Sequence, residues 1–293
     1  MYFLQKRLIR LRKILLNELI HNSAVSKEAN LETTLISLRK ELEGKLPGAP
    51  VLYGRKAYSN GEDDGIITEI FRRIKPDNKL FIEIGCGDGL ENNTHFLLLC
   101  GWKGLWLDGD SNNTNRLISA VGADCFKNLL IKNAFVTLNN TNSLIEEATN
   151  YFGQKEIDFF SIDIDGNDRH IVERVLQAGW FPKVFCVEYN AKLFPPCAQE
   201  VAYNEQHTWA QDDYMGVSLQ SWVNLLSSYQ YTLITCDISG VNAYFVRKEF
   251  THLFPSYSME QLYMPPRYYL NEKRAGHRSS LKFLKQILEH PDR

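Results

Sequence analysis

Phe81-Ile82-Glu83-Ile84-Gly85-Cys86-Gly87-Asp88-Gly89-Leu90 (FIEIGCGDGL) joins a short apolar run to three glycines at alternate positions. The run has the composition of a buried strand. The glycines let the backbone turn sharply and approach a ligand closely, which is how nucleotide cofactors are held at the end of a first strand. Two details choose among cofactors. Counted from Gly85, the third glycine position of the dinucleotide fingerprint GxGxxG falls on Leu90, so the NAD pattern is broken. Asp88 also stands where a pyrophosphate would need exposed N–H groups, and its carboxylate would repel the phosphates. S-adenosylmethionine carries no phosphate and bears a positive sulfonium and ammonium, so it accepts carboxylate neighbours such as Glu83 and Asp88. A glycine turn without a ligand is the competing reading. The expectation is a cofactor site at Glu83, Gly85, Gly87, Asp88 and Gly89.

Working outward, strand and helix patterns alternate. A helix is expected near Asp64–Ile74, a strand over Leu80–Ile84, a helix over Asn93–Cys100 and a strand over Gly104–Leu107. A helix near Asn112–Val121, a strand around Ala134–Leu138, a helix over Ser143–Phe152 and a strand over Ile157–Ile164 follow. Helix Asp168–Ala178 and strand Val184–Glu188 complete the repeated unit. Such alternation predicts an α/β fold, a doubly wound and mainly parallel sheet with helices on both faces. Helix Leu219–Ser228 then leads to strands Tyr231–Cys236 and Asn242–Arg247, whose short connection predicts a hairpin and a terminal antiparallel strand. The second strand ends in Asp108-Gly109-Asp110, about 20 residues beyond the glycine turn, where an acid can accept from both ribose hydroxyls of an adenosine cofactor. Asp108 is the first candidate. Asp110 is the second, unless it caps the next helix.

Glu83-Ile-Gly85-Cys-Gly87-Asp88-Gly89 with Asp108 resembles the first two motifs of Rossmann-like, class I S-adenosylmethionine-dependent methyltransferases. More narrowly, AYSNGEDDGIITEIF, ENNTHFLLLCGWKGLWLDGD, IDFFSIDIDGND and VFCVEYN resemble bacterial FkbM-like methyltransferases. The similarity runs from about residue 57 to 249 and includes LYMPPR at 262–267. Where those proteins usually carry a glutamate in the fourth-strand motif, this chain has Asp165. The resemblance implies a Rossmann-like methyltransferase sheet and transfer of a methyl group to oxygen. By analogy the acceptor is a saccharide hydroxyl in surface-glycan or secondary-metabolite biosynthesis. Other readings are a protein, lipid or small-molecule acceptor, or a non-catalytic, membrane-associated assembly protein that binds the cofactor.

A second constellation, Asp163-Ile-Asp165-Gly-Asn-Asp168, follows an apolar strand. It is not an EF-hand loop, because the sixth and twelfth positions hold Asp168 and Arg174 instead of glycine and glutamate. If the strand extends far enough, alternation puts Asp163 and Asp165 on one face, and the same spacing relates Glu188 to Asn190. In the methyltransferase fold the fourth and fifth strands are neighbours, so these side chains would meet in the crevice at the strand ends. Clustered carboxylates need a proton, an ammonium or a metal between them. Asp163, Asp165 and Glu188 are accordingly candidate ligands for a divalent cation such as Mg²⁺ or Mn²⁺. Asp168 is the expected helix cap. As general base, His207, His170 and Asp213 are candidates, with Asp212 a rival. Trp209 and Tyr214 would stack on a sugar ring or pack a loop.

The chain of 293 residues, 44% hydrophobic, is long enough for one large domain or one domain with extensions. Its net charge of −2 gives no global basic field, so no nucleic-acid partner is expected. Six cysteines without CxxC spacing suggest a reducing compartment, and the absence of a long apolar run or signal peptide suggests a cytoplasmic protein. Residues 2–20 place Leu4, Leu8, Leu11, Leu15 and Leu19 at helical spacing among Lys and Arg. This basic amphipathic helix suits an anionic membrane surface, homo-oligomer pairing, or packing on its own domain. Pro47-Gly-Ala-Pro50 sets the expected boundary between a helical extension (1–50) and the methyltransferase domain (51–250), with a C-terminal extension over 251–293.

Overall fold

The computed structural model describes residues 2–271 and 279–291 and, within the first helix, side chains from residue 25 onward. Seven strands form one sheet: β1 (Leu80–Ile84), β2 (Lys103–Asp108), β3 (Leu129–Asn133), β4 (Phe159–Ile162), β5 (Val184–Glu188), β6 (Tyr231–Cys236) and β7 (Asn242–Arg247). Their order is β3-β2-β1-β4-β5-β7-β6. The first five are parallel, and β7 runs antiparallel between β5 and β6. This is the expected doubly wound, mainly parallel sheet with a terminal antiparallel strand. The hairpin strand that reverses direction lies inside the terminal pair, and β6 forms the edge.

Alternation within β1 shows why both faces are covered. Leu80, Ile82 and Ile84 enter one apolar cluster, and Phe81 enters the other. Strands buried on both faces read as continuous apolar runs, which is the pattern of LFIEI and VFCVE. Helices α2 (Asp63–Ile74), α3 (His95–Leu99), α4 (Ser111–Val121), α5 (Thr141–Phe152), α6 (Asp168–Gln177) and α7 (Leu219–Ser228) cover the sheet.

Two expectations need correction. The third strand is Leu129–Asn133, not Ala134–Leu138, because Leu129, Leu130 and Ile131 are the residues with cover on both faces and they pair with β2. Residues 134–138 form the loop at its carboxyl end. The fourth strand stops at Ile162, so Asp163 and Asp165 lie beyond it in a turn. Both expected extensions pack onto the sheet's two apolar clusters. Helix α1 (Tyr2–Lys45) sends Leu35 into the main core, where Leu46, Ala49 and Val51 continue the contact. At the other end, α8 (Met259–Leu262) buries Leu262, and α9 (Lys282–Glu289) buries Leu284 and Leu288 in the second cluster. The basic stripe of residues 2–20 lies outside the described side chains. Among the described residues, no helix is long and apolar enough to cross a membrane.

Leu35 is fully buried, so Leu35→Ala should cost about 2–5 kcal/mol through lost burial and the cavity left behind. A thermal melt reads this directly. A transition unchanged from the parent protein would mean that the helix packs only loosely.

Candidate active site

The carboxyl ends of β1, β2, β4 and β5 converge on one side of the sheet. After β1 the chain turns through Gly85, Gly87 and Gly89, with φ of 87°, 58° and 76°. Each glycine has its own reason. A Cβ on Gly85 would stand 1.8 Å from the carbonyl oxygen of Asp163, so the glycine loop and the turn after β4 are in direct contact. A Cβ on Gly89 would press on Trp106 and Leu117 at 3.0 Å. At Gly87 nothing lies within 4 Å, and a Cβ there would enter open space. This is the place where a cofactor can approach the backbone.

Glu83 is buried, and its oxygens accept from Asn92 Nδ2 (2.8 Å), Asn93 N (2.7 Å), Thr94 N (3.2 Å) and the Thr94 hydroxyl. Burial raises its pKa against the pull of these donors. Its carboxylate shapes the loop from beneath. Asp88 accepts from Leu90 N at 3.3 Å, closing the turn. Asp108 stands at the end of β2, where its oxygens accept from Gly87 N (2.7 Å) and Asp110 N (2.8 Å). Asp108 therefore ties the second strand to the glycine loop. Asp110 is the N-cap of α4, accepting from Asn112 N at 2.8 Å, and it is exposed.

The acids after β4 and β5 meet by a route that strand alternation does not describe. Asp168, at the first turn of α6, accepts from Ile164 N (2.9 Å) and Gly166 N (2.8 Å), folding the preceding turn back on itself. It caps that turn, while Asn167 occupies the helix N-cap position. Burial raises the Asp168 carboxyl to about 6. Asp165 takes φ 59°, a left-handed conformation unusual for a non-glycine residue. As a result, one ligating atom each from Asp163, Asp165 and Glu188 lies within 4.8 Å of the others. Glu188 is only 8% exposed, and its protonated carboxyl donates a hydrogen bond to Asp163. Burial, then the neighbouring Asp163, raises the Glu188 pKa. Asp163 opens on the cavity, yet desolvation on its other sides and the nearby Asp165 raise it as well. Burial also raises Asp165, opposed by His207. Such a set holds protons at neutral pH or takes up a cation.

These acids form the floor of a cavity of about 790 Å³. Asn60, Asn190 and Asn271 supply amides to its walls, and Trp209 and Tyr268 supply partly exposed rings. Sequence reasoning missed Asn60, Tyr268 and Asn271. They come from segments distant in the chain, and only the AYSNGEDDG stretch carried a signal. The loop bearing His207 and Trp209 is anchored by Asn167 Nδ2 donating to Asn204 O (2.8 Å) and Gly216 N donating to Asp165 O (3.2 Å).

The three candidate bases separate. His207 lies against Gly166, where an added Cβ would come within 2.5 Å of its Nε2, and that nitrogen has no described partner. It is beside the acid turn. His170 points away: its Nε2 lies 2.9 Å from Val201 O, and it lines a separate groove with Leu138 and Arg174. The first turn of α6 directs it toward the outer loop, away from the acid turn. Asp213 lines the cavity rim but pairs with Lys192 Nζ at 2.7 Å, and this bond lowers its pKa. An exposed, ion-paired carboxylate is a poor proton acceptor. Tyr214 is exposed near His207, with ring centroids 6.3 Å apart.

No family model and no curated protein matches this chain. Among solved structures it is similar to an O-methyltransferase from Bacillus cereus in complex with SAH, at 13% identity over 74% of this chain and 89% of that one, TM-score 0.40. It is also similar to the SAH-bound methyltransferase PaMTH1 of Podospora anserina, at 12% identity over 78% and 96%, TM-score 0.42. Fibrillarin from Aeropyrum pernix with natively bound S-adenosyl-L-methionine matches at 8% identity over 58% and 67%, TM-score 0.38. The likenesses are distant.

Proposed function

We propose that this chain is an S-adenosylmethionine-dependent O-methyltransferase acting on a saccharide hydroxyl. One observation carries the reading: the glycine loop touches the turn that bears Asp163, so a cofactor over Gly87 and Asp108 would lie beside the acid-floored cavity. The fit to this cofactor is chemical as well as spatial. Gly87 leaves room for close approach, Asp108 at the end of β2 would accept from a ribose, and the nearby carboxylates favour a cationic sulfonium over a pyrophosphate.

When bound, the cofactor supplies a methyl group already made electrophilic by the sulfonium. The remaining work is to align an acceptor oxygen and take its proton. Trp209 and Tyr268 suit the apolar face of a sugar ring, and the amides of Asn60 and Asn271 suit its hydroxyls, while that of Asn190 is taken up by Asp213 O, Met215 O and Lys192 N. Asp163, Asp165 and Glu188 would hold a divalent cation, Mg²⁺ or Mn²⁺, which would lower the pKa of a hydroxyl bound to it. The convergence of the three carboxyls within 4.8 Å supports that assignment. His207, beside Asp165 with its Nε2 buried and outside the cavity lining, would have to turn toward the acceptor to take the hydroxyl proton.

Calorimetry with S-adenosylmethionine, S-adenosylhomocysteine and NAD tests the cofactor, and only the first two are expected to bind. Methyl transfer to a panel of neutral glycans, after chelation and with Mg²⁺ or Mn²⁺ restored, tests the cation. Asp165→Asn should lose about 100-fold in turnover, the range of a positioned acid–base group, with cofactor affinity held. Full activity in chelated protein would remove the cation and leave His207 as a metal-independent base.

A further inference from the structure

We infer that His95 is a positioning residue that fixes the outer end of the glycine loop for the cofactor and links it to the segment forming one wall of the acceptor cavity. The inference rests on the cofactor assignment above. His95 opens α3 and is fully buried. Its Nδ1 lies 2.7 Å from the carbonyl oxygen of Gly89. That oxygen can only accept, so Nδ1 carries the proton and Nε2 is left as an acceptor. No described group partners Nε2. Burial pushes the ring's pKa down to about 4, so it stays neutral across the working range and the bond to Gly89 is present throughout. Gly89 N in turn donates to Cys86 O at 3.1 Å, closing the loop that presents Gly87.

The other side of the ring faces a different segment. Tyr58 stacks on His95 with centroids 3.8 Å apart and planes 13° from parallel. Tyr58 belongs to a turn in which the Asp64 Oδ2 atom accepts from Ala57 N (2.7 Å), Tyr58 N (2.8 Å) and Ser59 N (2.9 Å). The next residue after that turn is Asn60, on the cavity wall. One flat ring thus contacts both the cofactor loop and the support of the acceptor wall. Phenylalanine would keep the stack and lose the donor, and a lysine or serine would lose the stack.

Two near-isosteric amides separate the roles. His95→Asn keeps an N–H close to the Nδ1 position, and His95→Gln moves it toward the Nε2 position. S-adenosylhomocysteine affinity, measured by calorimetry alongside thermal melts, should stay within about threefold of the parent in the Asn variant and fall about tenfold or more in the Gln variant, the loss of one buried hydrogen bond. Tyr58→Leu removes the stack and keeps the bond. In the parent, S-adenosylhomocysteine should slow amide hydrogen exchange at Ser59 and Asn60, and in Tyr58→Leu that slowing should vanish. Equal affinity in folded Asn and Gln variants overturns the positioning role, and slowing that persists in Tyr58→Leu overturns the link. Failure of the parent protein to bind S-adenosylhomocysteine overturns the cofactor assignment instead.

Discussion

Replacing Gly87 with valine is expected to abolish S-adenosylhomocysteine binding, raising Kd by at least about 100-fold, while the chain still folds. The left-handed φ of 58° penalises a β-branched residue by roughly 1–3 kcal/mol, a cost a domain of this size can carry. No protein atom lies within 4 Å of the new Cβ, so the side chain meets no clash inside the protein and projects into the space the cofactor needs. Gly85→Ala gives the contrast. There the Cβ would fall 1.8 Å from the Asp163 carbonyl oxygen, at a φ of 87°, so backbone must move. That variant should lose both stability and binding, and it would also shift the acid turn. Calorimetry and melting on the two variants read the difference. Parent-like affinity in Gly87→Val would mean that the cofactor does not pass over this loop.

The contrast between these glycines marks what a sequence can carry. Alternate glycines after an apolar strand announce a close approach, and Asp108 follows at the spacing of a second strand. Neither reveals that Gly85 serves the contact with the β4 turn and that Gly87 alone opens outward. Fold class was legible because parallel strands buried on both faces must be apolar throughout, as in LFIEI and VFCVE. The third strand was misplaced because AFVTL has β-branched and aromatic residues as good as those of LLIKN, and only pairing with β2 decides between them. The packing across the Pro47-Gly-Ala-Pro50 break was illegible for a similar reason. Pro47 and Pro50 do punctuate the chain, but a break in helix is not a break in packing, and Leu35 and Leu46 share one core. Among candidate bases, the sequence put His207 only slightly ahead of His170. The orientation of α6 and the fold of the 204–216 loop separate them, and neither is a local property. The acids converge through Asp168 and the left-handed Asp165, a turn geometry that no periodicity encodes.

Glu188→Gln should make the protein more stable and less active. Burial, then Asp163, raises the folded-state pKa of Glu188 above its unfolded value of about 4.3. Above that unfolded value the native state holds protons that the unfolded chain has released, so stability falls as pH rises. Glu188's contribution is therefore fully present below about pH 4 and is progressively lost as pH climbs through its raised pKa. A neutral glutamine escapes this loss and can donate an amide hydrogen to the facing carboxylates. At pH 7.5, without added cation, the variant should be more stable than the parent, seen as a higher melting temperature. The gap should close as pH approaches 4. Adding Mn²⁺ should raise the melting temperature of the parent and not that of the variant, because ligand binding to the native state stabilises it by mass action. Methyl transfer should drop at least about 100-fold, since a residue whose cost in the empty protein is tolerated is one that the bound state uses. A variant less stable than the parent at pH 7.5 would show that Glu188 is already compensated within the chain, and the acids would then be structural.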